Sequence, residues 1–351
     1  MQPIFSNLSN RKLLIITGIV TAALLIGVII ITVIVLTSAS ENKQTAKSPI
    51  TDSNTSGSGS SFKGNSSDLS GTVSRPNLTG LSLRINQVET CNPSVISAYV
   101  AVTNGDGAVT KGLVKDDVKV YLDGGEVKNF SFNSVDTKAQ PITNALAIDH
   151  SGSMRGAAME NAKSAAISYV AKLKTGDQVS VTQFDNLIET LMAASTDKTT
   201  ATRVISGIQP RGDTAVYDAI IAGLGTVPDC GRKALTVLTD GTDTASKNYS
   251  ESSVISEINK SNLPVFAVGV VGSQFNPASI RKIAESTGGQ YFEANTPSEI
   301  AGLYDKINNQ LTGQFVANLK LSLKKDGSVH RLKIISSVEG SDTSSERSFV
   351  Y

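Results

Sequence analysis

The chain has 351 residues, enough for one large domain or two smaller ones plus a tail. Its charge is nearly balanced, 32 Lys and Arg against 31 Asp and Glu, which excludes both the basic excess of a nucleic-acid binder and an acidic solvating tail. With no Trp, 5% aromatic residues, two cysteines and two histidines, it has neither the rings for a stacking platform nor the ligands for a zinc cluster.

Residues 1–12 end on Arg11 and Lys12, and Leu13 to Leu36 follows as 24 residues without a charge or a Pro. As a helix this run reaches roughly 36 Å, enough for a ~30 Å hydrocarbon core with some tilt. Arg11 and Lys12 favour a cytoplasmic N-terminus with the C-terminal bulk outside; Lys43 and Lys47 on the other flank make the asymmetry modest. Ser38-Ala39-Ser40 is the small-residue sequence of a cleavage site. The apolar region of a cleaved signal peptide is usually only ~7–15 residues, however, so 13–36 is read as an uncleaved, single-pass signal-anchor in the cell membrane. Residues 37–80 are rich in Ser, Gly, Thr and Asn and bury too little to fold alone. They read as a flexible stalk whose ends lie roughly 35 Å apart.

From Leu81 the pattern has period two. Leu81, Leu83 and Ile85, then Tyr99, Val100 and Val102, then Val118, Val120 and Leu122, then Val127, Phe130 and Phe132 form short runs between Gly- and Asp-rich turns. Residues 314–351 have the same character, with Val316, Leu319 and Leu321 followed by Leu332 and Ile334. Each segment is too small for a core of its own. The expectation is one antiparallel β-sandwich built from 81–139 together with 314–351.

Between them, 140–313 alternates strands with helices. Strands are expected at Ile142–Ile148, Gln178–Phe184, Ala234–Thr239 and Val265–Val270. Helices are expected over 158–173, Thr214–Gly225, Glu251–Ser261, Pro277–Ser286 and Pro297–Leu311. That alternation implies βαβ units and a doubly wound, mostly parallel sheet of Rossmann-like α/β class, inserted in the sandwich.

The first core strand runs into Asp149-His150-Ser151-Gly152-Ser153, with three short oxygen side chains alternating just past the strand's carboxyl end, where doubly wound folds bind ligands. A second strand ends at Asp240-Gly241, and the loop Gly212-Asp213-Thr214 offers a hydroxyl ahead of a helix. Two carboxylates and three hydroxyls make a hard, all-oxygen set suited to Mg²⁺, with Mn²⁺ or Ca²⁺ also acceptable. Two carboxylates only balance a dication, so a bound metal would stay electrophilic toward an acidic group from a partner.

Asp149-x-Ser151-x-Ser153, Thr214 and Thr239-Asp240-Gly241 together resemble the metal-ion-dependent adhesion site (MIDAS) of von Willebrand factor A (VWA) domains. The resemblance spans about Pro141 to Leu311 and includes Gly212-Asp213-Thr214-Ala215-Val216-Tyr217-Asp218-Ala219-Ile220. It implies hydroxyl ligands from Ser151, Ser153 and Thr214, and carboxylates at Asp149 and Asp240 that bind directly or through water. The segment from Val102 to Gly124 more loosely resembles the small β-sandwich that precedes this domain in many bacterial secreted proteins.

Arg211-Gly212-Asp213 spells an integrin-binding tripeptide, but the second metal loop accounts for it and for its neighbours. His150 lacks a nucleophile dyad and reads as a variable rim position that tunes ligand preference rather than a general base. Cys230 stands at the amino end of its strand, on the face where the chain enters and leaves the α/β region. A Cys91–Cys230 bridge to the sandwich is therefore expected in an exported chain. No G-x-G-x-x-G turn follows the first strand, which excludes a dinucleotide site. The combined reading is a membrane-anchored, extracytoplasmic, non-enzymatic VWA module that binds an acidic group on a protein or surface ligand through a divalent metal. The alternatives are an assembly subunit of a surface complex or a metal-dependent hydrolase.

Overall fold

Ile142–Asp149 (β6) has all eight residues buried, as expected of a strand covered on both faces. The computed structural model describes residues 80–351 apart from 105–106, 273–274, 322 and 339–340. The anchor read at 13–36 and the stalk up to residue 79 lie outside the described residues. Among the described residues, no helix is long and apolar enough to cross a membrane.

Ahead of β6, the described residues hold five strands: β1 (Ser82–Glu89), β2 (Val95–Thr103), β3 (Val118–Leu122), β4 (Gly125–Glu126) and β5 (Phe130–Ser134). After β6 come α1 (Ala157–Lys172), β7 (Gln178–Phe184), β8 (Ile188–Ser195), α2 (Lys198–Ser206), α3 (Val216–Leu224) and β9 (Arg232–Thr239). The α/β part ends with α4 (Glu251–Lys260), β10 (Val265–Val270), α5 (Ala278–Ser286), β11 (Tyr291–Ala294) and α6 (Ile300–Thr312). Three further strands close the chain: β12 (Phe315–Lys320), β13 (Val329–Val338) and β14 (Ser341–Val350).

The α/β sheet has the order β11-β10-β9-β6-β7-β8, parallel except for the β7–β8 pair. The alternation of β6 serves both faces. Leu146 and Ile148 pack with residues of α1, α2 and α6, whereas Ala145 and Ala147 pack with residues of α3, α4 and α5. On α1 the buried Met159, Ala162, Ala166, Tyr169 and Val170 recur at helical spacing, so one stripe faces the sheet. The start of α3 is two residues later than expected, because Ala215 takes the non-helical N-cap conformation.

The other strands form two four-stranded antiparallel sheets, β1-β2-β12-β5 and β14-β13-β3-β4. They share one core, in which Phe132 and Phe315 stack at 5.0 Å. β12 lies between β2 and β5, and β13 between β3 and β14, so both terminal segments contribute to each sheet.

A polar seam joins the sandwich to the amino ends of the α/β strands. Arg232 donates to the Gln140 carbonyl at 2.7 Å, the Leu311 carbonyl at 2.5 Å and Gln314 Oε1 at 3.0 Å. Gln314 donates to Asn86 Oδ1 and Asn86 to the Gly288 carbonyl, each at 2.8 Å. Gln87 donates to the Gly231 carbonyl and accepts from Lys233 N. Beside this network, Cys91 and Cys230 form a disulfide with a Cα–Cα distance of 5.8 Å. These bonds run from one part to the other and fix the two relative to each other.

Candidate metal centre

β6 and β9 are neighbours, and the chain winds away from them in opposite directions across the sheet, so their carboxyl ends frame the crevice that doubly wound folds use. Asp149 ends β6, and Asp240 directly follows β9. Asp149 is fully buried and held from two sides: Oδ1 accepts from Ser151 N at 2.7 Å and Oδ2 from the Thr239 hydroxyl at 2.5 Å. The Ser151 and Ser153 hydroxyls are 3.0 Å apart, and Ser153 donates to Asp240 Oδ1 at 2.7 Å. A continuous chain of polar contacts therefore runs from Asp149 through Ser151 and Ser153 to Asp240.

Thr214 reaches the same place from a third segment. Its hydroxyl packs so closely on Gly241 that a Cβ there would stand 2.9 Å from Oγ1. Its carbonyl accepts from Thr244 N and Ala245 N, and Gly152 N donates to the Gly212 carbonyl at 2.9 Å, tying the first loop to the third. Gly212 has φ +69, and a Cβ on it would stand 2.4 Å from Asn186 Oδ1, so a side chain here would disturb the loop that presents Thr214.

Burial pushes the Asp149 carboxyl up to about 7, opposed by its hydrogen bonds from Thr239 and Ser151 and reinforced by the charge of Asp240. Burial likewise raises Asp240, against the hydrogen bond from Ser153. Among the described residues neither carboxylate has an ion-pair partner. Two buried carboxylates without a cation, backed by three hydroxyls, fit a hard dication, which would offset the desolvation of both. A second grouping of ligand-type residues, Glu89, Cys91 and Cys230, offers no thiolate because both sulfurs are in the disulfide.

His150 departs from expectation. It is 1% exposed rather than at a rim; its ring Nδ1 lies 2.8 Å from the Gln209 carbonyl and Nε2 lies 4.0 Å from Asp185 Oδ2. The alternating turn sends Ser151 and Ser153 toward Asp240 and leaves the imidazole between the loops, where it joins the first loop to the 209–211 segment. Thr239 is the residue whose role the sequence reading did not assign. Its signal was its place immediately before Asp240, at the end of a buried strand beside β6.

Residues 145–306 match the family model of the von Willebrand factor type A domain. The α/β part of this chain is a VWA domain. VWA domains generally serve protein–protein interaction or adhesion rather than catalysis. An uncharacterized protein of Synechocystis is 25% identical over 195 residues, which are 54% of this chain and 46% of that relative. The aligned region thus spans less than half of that relative's length. Among solved structures, a von Willebrand factor type A protein from Catenulispora acidiphila is 13% identical, with a TM-score of 0.47 over 77% of this chain and 73% of that one. Proximal thread matrix protein 1 of the mussel byssus, in a form with a zinc-occupied MIDAS motif, is 18% identical, with a TM-score of 0.47 over 54% of this chain and 50% of that one.

Proposed function

We propose that this VWA domain binds an acidic group on a protein or surface ligand through a divalent cation held by Asp149, Ser151, Ser153, Thr214 and Asp240. The observation that carries the reading is the pair of buried carboxylates, Asp149 and Asp240, joined through serine hydroxyls and, among the described residues, without an ion-pair partner. When bound, the cation supplies an electrophilic position for an anionic oxygen of the partner. Around it the chain's own residues do the positioning. Thr239 and the Ser151 amide orient Asp149, Gly241 leaves room for Thr214, and His150 braces the loops from beneath.

Mg²⁺ suits the all-oxygen set, with Mn²⁺ and Ca²⁺ as substitutes. The apolar run 13–36 and the Ser/Gly-rich segment after it support a single-pass anchor and stalk that hold the VWA domain outside the cell. The metal crevice lies at the strand ends away from the sandwich seam.

The reading is tested by calorimetric titration of Mg²⁺ into the purified chain and Asp149→Ala, followed by pull-down from native membranes with and without chelator. Wild type is expected to bind Mg²⁺ and to retain partners only when metal is present, and Asp149→Ala to lose both with its circular dichroism unchanged. Equal partner capture by the variant, with and without chelator, would sink the reading.

A further inference from the structure

One buried charge lies far from the metal crevice and has no assigned role. Arg347 on β14 is 7% exposed, and among the described residues its Nε, Nη1 and Nη2 have no hydrogen-bond partner. Nη1 lies over Gly288, in the turn between α5 and β11, where a Cβ would stand 1.7 Å from it. That turn has a positive φ of +84 at Gly288, so glycine both permits the backbone and clears space for the guanidinium. Burial lowers the Arg347 guanidinium to about 10, with no offsetting carboxylate among the described residues. A guanidinium carries five N–H donors in a planar fork, and leaving them buried and unpaired is strongly unfavourable.

Arg347 borders a cavity of about 420 Å³ at the seam between the sandwich and the VWA domain. Arg84, Asn259, Ser286 and Ser345 line it as well. Arg84 is a second cation, anchored by donation to the Gly289 carbonyl at 3.0 Å. Two acids, Glu285 and Glu346, line the same cavity. Glu346 pairs with Arg331 at 3.1 Å, and Glu285 is exposed and acts on Arg84.

We propose that this seam cavity binds a small oxoanion, held by Arg347 and Arg84 with further donors from Asn259, Ser286 and Ser345. Carboxylate and phosphate oxygens both match the guanidinium fork, and either would neutralise the buried charge. Because the Arg347 nitrogens are shielded from solvent, binding draws this long side chain from Gly288 toward the cavity. The anion then bridges β14 of the sandwich to α4 and α5 of the VWA domain and stabilises their junction.

Thermal unfolding of the full chain in detergent, with the disulfide intact, tests this by titrating inorganic phosphate against chloride of matched ionic strength. Wild type is expected to show a saturable rise of about 2–4 °C. Arg347→Met should lose the rise, and Arg84→Gln should weaken it. Arg347→Met removes an unpaired buried charge at similar volume, so in chloride it should melt at or above the wild-type temperature. Saturable ³¹P line broadening on wild type checks binding without any variant. A parallel acetate titration separates the sources: a rise with both anions assigns a carboxylate-type ligand, and a rise with phosphate alone a phosphate. No saturable response to either anion in wild type, or an undiminished response in Arg347→Met, overturns the proposal. Glu285→Gln should leave the chloride midpoint unchanged and strengthen phosphate binding. A fall in both would identify Glu285 as the counter-ion and overturn the proposal too.

Discussion

Asp149 shows how one side chain joins fold to function. Its carboxylate lies at the end of a strand with every residue buried, and its two oxygens are already committed to Thr239 and to the Ser151 amide. Without metal, burial holds it near 7 against an ordinary value of 3.8, so the folded state keeps a proton that the unfolded chain has released. The metal-free fold is therefore most stable below about pH 4 with respect to this group, and it loses that contribution as pH rises through about 7. A dication bound at the proposed site would reverse the balance, because it would favour the ionised carboxylate. Mg²⁺ affinity is expected to fall roughly tenfold per unit below pH 7 and to level off above it. The gap in melting temperature between Mg²⁺ and chelator should thus widen from pH 5 to pH 8. Thr239→Val removes a hydrogen bond that favours the ionised form, so its affinity profile should move to higher pH. A profile that stays put in this variant would mean that Thr239 has no part in setting the charge of Asp149.

Single elements show where the sequence is readable. β6, β7, β9 and β10 are dense in apolar residues because both faces of the sheet are covered, and each was legible from that run alone. β8 was not, since it is a half-exposed edge strand with no clean alternation, and β11 has only four residues. β14 reads Ser-Asp-Thr-Ser-Ser-Glu-Arg-Ser before its first apolar residue, Phe349; it forms because β13 supplies a ladder along its whole length. α2 carries three threonines and one buried stripe of Ala201 and Ile205, too short for a helical period to stand out. The candidate metal residues stand out in the sequence because their oxygen chemistry depends on residue type at strand ends. The bracing of His150 and Thr239 was not, because it depends on which strands become neighbours. Glycines divide in the same way. Gly289 faces the backbone of β10, where a Cβ would stand 1.9 Å from the Val265 carbonyl, whereas a Cβ on Gly302 in α6 meets nothing within 4 Å. Gly289→Ala is expected to lower stability by about 1–3 kcal/mol or more by overpacking. Gly302→Ala should raise it by about 0.5–1 kcal/mol through helix propensity. Urea unfolding of both variants measures the contrast, and equal midpoints would refute it.

At the scale of the whole molecule, the α/β part interrupts the sandwich in sequence: the sandwich begins before it and is completed after it. α6 passes into β12 through Gly313 and Gln314, and the Gln314 side chain bonds to Arg232 and Asn86 across the seam. Movement at the end of α6 is therefore resisted by a paired polar network as well as by the sandwich strand that follows. The Cys91–Cys230 disulfide adds a covalent tie between residues separated by 139 positions. Closing so long a loop restricts the unfolded chain strongly, by about 5 kcal/mol in the chain-entropy account, an upper figure because unfolded chains keep some structure. The seam bonds from Gln87, Asn86 and Arg232 do not depend on the sulfurs, so the double variant Cys91→Ser, Cys230→Ser should still fold. It should melt several degrees lower, and the loss should appear as less stability at unchanged Mg²⁺ affinity, since the bridge stands at the opposite end of β9 from Asp240. Calorimetry on the oxidised chain and on the double variant measures both quantities. A drop in Mg²⁺ affinity that tracks the loss of the bridge would mean that the seam and the crevice are coupled through β9, and the picture of a metal face carried on an independent, stapled base would have to be abandoned.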